Sequence, residues 1–251
     1  MKNRMLHIAT VVAYGVMVAV NYLAVALPLA GRDTGAISDA YPNIFAPAGY
    51  AFSIWGLIYT LLGAYVVYQM WHKKNVLVLR VNRIFIINAL LNASWLFAWH
   101  YDYIGLSVLI LLGMAYTLAR IVEVLRTQTL TKMEYWLMRF PFSVYFGWVT
   151  VASVANMVVF LVSVGWWGSG VSESLWTIGA LIVGLGVGSW RLLRDRFFPY
   201  GLVLVWAYTA ILYKHLSASG FAGAYPSVIF ATVLCVSVFV LLTIRVSVVK
   251  K

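Results

Sequence analysis

Residues 81–126 read VNRIFIINALLNASWLFAWHYDYIGLSVLILLGMAYTLARIVEVLR. Two apolar runs, 81–100 and 103–125, meet at a short turn around Tyr101 and Asp102. Arginines stand only towards the far ends, as Arg83, Arg120 and Arg126. A helix that crosses a bilayer needs roughly 20 mostly apolar residues, and each run reaches that length. The stretch therefore reads as a helical hairpin that enters lipid, turns and returns, with both basic ends on one side.

Working outward, further runs of this kind fall at 6–29, 48–71, 137–164, 174–192, 197–215 and 225–246. The expected fold is an all-α, polytopic transmembrane bundle of about eight spans. Placing the N-terminus inside tests that count. Every Lys and Arg except Arg32 and Lys214 then lies in an inside segment, including Lys2, Arg4, Lys73, Lys74, Lys250 and Lys251. Cytoplasmic loops carry such an excess of cations, and deleting any one span would invert every later loop. Both termini are thus expected in the cytoplasm, in what reads as a bacterial cytoplasmic membrane. Lys2 and Arg4 precede an apolar run, Ile8 to Ala30, longer than the ~7–15-residue core of a cleaved signal. That run is expected to be a retained first helix.

Composition agrees. The chain is 63% apolar and 10% charged, against about 25% charged in a soluble domain, so its natural solvent is the lipid bilayer. The net charge of +11 sits in short clusters between apolar runs, with no basic face or tail, which argues against nucleic acid. Cys235 is the lone cysteine, and His7, His72, His100 and His215 are scattered, so neither an intrachain disulfide nor a zinc site is expected. No Ser-His-Asp set or pair of carboxylates supports an enzyme, and His100 with Asp102 reads as an interfacial turn. Gly184, Gly186 and Gly188 lack the following Lys-Ser/Thr of a phosphate loop. The Gly184/Gly188 pair reads instead as a close helix contact.

The longest irregular stretch is Gly31–Pro47, GRDTGAISDAYPNIFAP. Its Ile37, Tyr41, Ile44 and Phe45 are more apolar than a solvated loop needs, and it is expected to fold back over the helix ends. Within the spans no acid or base lies near a centre. The amides there are Asn21, Asn88, Asn92 and Asn156. At 3.6 residues per turn, Asn88, Asn92, Trp95 and Trp99 share one helix face, Trp55 and Tyr59 another, and Trp148, Ala152 and Asn156 a third. Such stripes serve either as helix glue with tryptophan packing, or as a pocket with aromatic walls and a few amide hydrogen bonds, suited to a flat, largely apolar ligand.

Three blocks resemble the tryptophan-rich sensory protein family, TspO, also called the translocator protein family. In PNIFAPAGYAFSIWGLIYTLLG, Pro42, Pro47, Trp55, Tyr59 and Gly63 fall at the spacing of that family's second helix. Asn88-Ala-Leu-Leu-Asn92-Ala-Ser-Trp95 matches its third, with Asn88 where the family has glutamine. Tyr145-Phe-Gly-Trp148-Val-Thr-Val-Ala152-Ser-Val-Ala-Asn156 matches its fifth. The resemblance implies a five-helix transmembrane bundle over 1–165, followed by a three-helix transmembrane extension over 166–251. It implies a membrane-embedded binding or sensory protein for a porphyrin or haem, or a sterol-like molecule, with no required cofactor and with a homodimer allowed. The alternative is a small facilitative transporter of hydrophobic or small solutes. The ligand-binding residues expected are Trp55, Tyr59, Asn88, Asn92, Trp95, Trp99, Trp148, Ala152 and Asn156.

In a Cys235→Ser background, a cysteine placed at Gly35 should react with a membrane-impermeant thiol reagent from outside, and one at Thr129 only from inside. Reaction of both from one face would overturn the topology.

Overall fold

The computed structural model describes residues 2–27, 31–32, 34–166 and 170–248. Asp33, Lys250, Lys251 and the end of the first apolar run lie outside the described residues. Among the described residues every regular element is helical.

The helices are α1 (Lys2–Ala26), α2 (Thr34–Asp39), α3 (Ile54–Trp71), α4 (Val76–His100), α5 (Ile104–Arg126), α6 (Lys132–Glu134), α7 (Phe140–Ser163), α8 (Glu173–Asp195), α9 (Phe198–Leu216) and α10 (Pro226–Val248). Local chemistry sets their ends. Asn75 caps α4, its side-chain oxygen accepting from the backbone N–H of Leu77 and Val78. The helix therefore starts earlier than the apolar run at 81, and Arg80 and Arg83 ride on its opening turns. Thr131 and Glu134 form a reciprocal capping box that opens α6. Pro141 then lacks the N–H that an α-helix would use. The chain just before it widens into a π turn, Tyr135–Arg139, closed by Phe140 N–H donating to the Tyr135 carbonyl. At the end of α8, Arg196 takes a left-handed conformation (φ 53°) and its N–H returns to the Leu192 carbonyl. The next helix starts at once, with Pro199 in its first turn.

Among the described residues, seven helices are long and apolar enough to cross a membrane. The remaining expected span, 197–215, is the helix α9 of 19 residues, which falls below that apolarity. It buries Tyr200, Leu204, Tyr208 and Ile211 among others, so protein rather than lipid surrounds much of it. A helix so wrapped can carry polar residues without exposing them to lipid.

By contacts the chain forms two compact units, Met1–Thr34 with Ile54–Phe146, and Gly35–Ser53 with Gly147–Lys251. The division falls inside α7, whose first turns belong to the first unit and whose remainder belongs to the second. In the first unit α4 packs on α1 and α5, and α1 also meets α3. Tyr14 donates to the Tyr59 carbonyl at 2.9 Å, beside Gly63, where an added Cβ would lie 2.7 Å from the Tyr14 oxygen.

A polar network ties α1, α3 and α4 near their basic ends. His7 Nδ1 bonds to Gln69 Oε1, Asn82 Nδ2 donates to the same oxygen at 3.0 Å, and Tyr65 donates to Asn82 Oδ1 at 2.5 Å. His7 Nε2 reaches the Lys73 carbonyl at 3.2 Å. All four side chains are buried. In such surroundings a polar group without a partner costs about 1–3 kcal/mol, and each member of this network supplies one to the next.

The second unit is built on close helix approach. The Gly147 position faces the Tyr200 carbonyl and Val203 Cβ, each 2.9 Å from where a Cβ would stand. At Gly184 a Cβ would lie 2.2 Å from the Tyr208 hydroxyl oxygen, and at Gly188 2.9 Å from Leu204 Cδ1. Tyr208 donates to the Leu181 carbonyl at 3.0 Å, and Tyr200 to Thr150 Oγ1 at 3.0 Å. The expected Gly184/Gly188 contact is thus present, and Gly186 between them faces open space. Residues 35–53 fold with this unit. Ile37, Ile44 and Phe45 are buried, Ala48 N–H donates to the Ala210 carbonyl at 3.2 Å, and His215 Nε2 lies 2.8 Å from the Ile44 carbonyl.

These contacts separate two similar substitutions. Gly184→Ala should destabilise by about 1–3 kcal/mol through overpacking. Gly186→Ala should stabilise by about 0.4–1 kcal/mol, by restricting the unfolded chain. Thermal unfolding in detergent reads both, and equal shifts in the same direction would contradict the packing described.

Candidate functional site

The first unit gathers an aromatic and amide cluster at the end of its helices opposite the His7 network. A 3₁₀ turn, Gly49–Ser53, feeds directly into α3, so Trp55 stands in the first turn of that helix. Trp55 and Tyr59, one turn apart, stack with centroids 5.6 Å apart and planes 16° apart. On α4, Trp95 and Trp99 repeat the arrangement at 5.6 Å and 19°. Trp55 joins the two pairs, lying 6.2 Å from Trp95 and edge-on to Tyr145 at 5.9 Å. The result is a ledge of indole and phenol faces across α3, α4 and the start of α7.

Asn92 is the polar centre of this ledge. Its Nδ2 donates to the Tyr145 hydroxyl at 2.9 Å, and its Oδ1 accepts from Asn21 Nδ2 at 2.8 Å. Each such interhelical bond contributes about 0.6–2 kcal/mol in a membrane protein. The Tyr59 hydroxyl is buried on the Asn92 side of the ledge, and among the described residues it makes no hydrogen bond of good geometry. At the rim, Trp99 Nε1 donates to the Thr34 carbonyl at 3.2 Å. Arg32 pairs with Asp102 at 2.5 Å, and Asp102 is held in the turn by a left-handed backbone (φ 58°). His100 Nδ1 lies 2.9 Å from the Leu96 carbonyl. His100 is thus bonded within its own helix, and Asp102 to Arg32.

The expected residues separate into three groups. Trp55, Tyr59, Asn92, Trp95 and Trp99 come together. Asn88 does not join them: its Nδ2 donates to Thr117 Oγ1 at 2.8 Å and to the Met114 carbonyl at 3.2 Å. Asn88 shares a face with Asn92 only to within about 40° of rotation, and one turn deeper that offset is enough to turn its side chain onto α5. Trp148, Ala152 and Asn156 lie on the part of α7 that belongs to the second unit. There Trp148 is buried and edge-on to Phe52 at 5.8 Å, Asn156 is buried and Ala152 half-buried.

Tyr145 and Asn21 join the cluster although the site expectation omitted them. Tyr145 stands in the Tyr-x-x-Trp block, and Asn21 is one of the few amides within a span, so the sequence carries a signal for both. Among the described residues no group of three or more His, Cys, Asp or Glu side chains could hold a metal ion.

A family model described as TSPO-like protein matches residues 7–245. The chain belongs to the TSPO-like protein family. It is an integral, multi-pass membrane protein of that family. The match runs well past the three blocks of resemblance and takes in α8, α9 and most of α10, so these helices lie within the TSPO-like pattern. Searches of curated proteins and of solved structures found no match.

The Asn92–Tyr145 bond is measurable by itself. A double-mutant cycle of Asn92→Ala and Tyr145→Phe should give a coupling of about 0.5–2 kcal/mol in unfolding free energy. Additive effects would show that the two side chains do not interact.

Proposed function

We propose that this TSPO-like protein is a membrane-embedded binding or sensory protein for a flat, largely apolar ligand of the porphyrin or sterol-like kind, received at the Trp55–Tyr59–Asn92–Trp95–Trp99 cluster. The observation that carries the proposal is the buried Tyr59 hydroxyl, which makes no hydrogen bond of good geometry among the described residues, set beside stacked indole faces. A core built only for packing gains nothing from such a phenol, because burying it unpaired costs about 1–3 kcal/mol. A ligand oxygen or ring nitrogen beside Tyr59 and Asn92 would recover that cost. The aromatic faces would supply dispersion and stacking to a planar ring system. The stacked indole faces suit the flat tetrapyrrole ring itself. The ledge lies at the helix ends next to Arg32 and Thr34, and the charge distribution supports an outer position for it with both termini in the cytoplasm.

Titration of the detergent-solubilised protein with protoporphyrin, followed by tryptophan quenching and by the porphyrin absorbance band, tests this reading. Wild type should saturate. Tyr59→Phe, which keeps the ring and removes the hydroxyl, should weaken binding about 3- to 10-fold, the equivalent of a lost hydrogen bond of roughly 0.5–1.5 kcal/mol. Trp55→Phe and Asn92→Ala should also weaken it. Trp190→Phe is the control, since Trp190 is exposed on α8 beside Arg194. Wild-type affinity in Tyr59→Phe, Trp55→Phe and Asn92→Ala together would assign the cluster to packing. Flux into vesicles in the same preparation would favour the facilitative transporter.

A further inference from the structure

A concavity lies wholly within the second unit. It encloses about 350 Å³ between residues 38–46, the start of α8 and the turn after α9. Three ionisable side chains line it, Asp39, Glu173 and Lys214, and Phe221 and Tyr225 supply aromatic wall. With both carboxylates and the ammonium charged, the lining carries one net negative charge.

Its walls are fixed from behind. Asn43 is buried; its Oδ1 accepts from the N–H of Phe45 and Ala46, and its Nδ2 donates to the Tyr41 carbonyl. His215, fully buried, holds the Ile44 carbonyl with Nε2 at 2.8 Å and packs 4.9 Å from the Phe221 ring and 5.8 Å from Tyr225. Phe221 and Tyr225 meet edge to face at 5.4 Å. The turn that carries them is closed by Phe221 N–H to the Lys214 carbonyl and Gly223 N–H to the His215 carbonyl. A concavity whose loop, histidine and turn are all bonded in place is preformed, as ligand sites usually are.

The protein itself shows what such walls hold. The Lys214 ammonium lies 2.9 Å from Asp39 Oδ1 and 5.8 Å from the centre of the Phe221 ring, which is a carboxylate and an aromatic face around one ammonium. That arrangement accounts for Asp39. Glu173, on the same concavity, forms no ion pair among the described residues, and it stands in the first turn of α8.

From the cavity, its net negative charge and the aromatic wall, we propose that this concavity binds a small organic ammonium ion, with Glu173 taking the charge and Phe221 and Tyr225 taking the alkyl groups. The same chemistry is present in a soluble choline-type cation and in the headgroup of a choline lipid.

The test uses the full chain in nanodiscs of phosphatidylglycerol, which has no ammonium headgroup, titrated calorimetrically with choline and tetramethylammonium. Saturable binding of both is expected, with at least tenfold weaker binding of 3,3-dimethylbutanol, the neutral isostere of choline. Glu173→Gln should weaken choline about tenfold and Phe221→Leu about threefold, while Tyr59→Phe leaves it unchanged. Nanodiscs of phosphatidylcholine identify the source. Suppressed choline binding there points to the lipid headgroup as occupant, and unchanged binding to a soluble cation. Absence of saturable binding, equal binding of the neutral isostere, or wild-type affinity in both Glu173→Gln and Phe221→Leu would overturn the proposal. Neither outcome bears on porphyrin binding, which is read separately through Tyr59→Phe.

Discussion

Hydrocarbon offers no hydrogen bonds, and this constraint orders the molecule. A polar group that would find water on a soluble protein must here find a protein partner or remain unpaired. Asn82 answers with Gln69 and Tyr65, Asn92 with Asn21 and Tyr145, Asn88 with Thr117. Each bond joins two helices, so satisfying the amides also fixes which helices are neighbours. Where the partners are amides or phenols rather than charges, the connection avoids the cost of placing an ion in lipid.

The two units use different means to the same end. The first is stitched by side-chain polar bonds at both ends of α1, α3 and α4. The second relies on backbone proximity, with Gly147, Gly184 and Gly188 letting helices approach until Tyr200, Tyr208 and Leu204 occupy the space a side chain would have filled. Tyr208 takes both roles, filling the gap at Gly184 and bonding the Leu181 carbonyl.

Much of the fold was legible because hydropathy and charge placement report directly on the solvent. Runs of apolar residues bounded by arginines become helices close to the expected limits. The start of α4 was missed because Asn75 as a cap extends the helix through Arg80 and Arg83, which hydropathy reads as loop. The His7 network was not legible at all. Gln69 and Asn82 lie near span ends beside Lys73 and Arg83, where a polar residue passes as interfacial, and only the fold shows both fully buried. Helical periodicity correctly put Trp55 with Tyr59 and Trp95 with Trp99. It could not tell that Asn88 faces α5, because spacing fixes an angle about one helix and not which neighbour stands there. Glu173, Lys214 and Phe221 looked unrelated for the same reason, since their meeting depends on how loops return.

The segment 35–53 is synthesised early, before α3, yet its partners lie far later in the chain. Ala48 bonds Ala210, Ile44 bonds His215, Asp39 pairs with Lys214, and the Ala51 carbonyl accepts from Trp206. During biogenesis this stretch must therefore wait, with Ile37 and Phe45 unburied, until α9 has been made. Contacts so distant in sequence close slowly and leave apolar surface exposed meanwhile. The order of translation thus makes the arrival of α9 the step that lets this early segment find its partners.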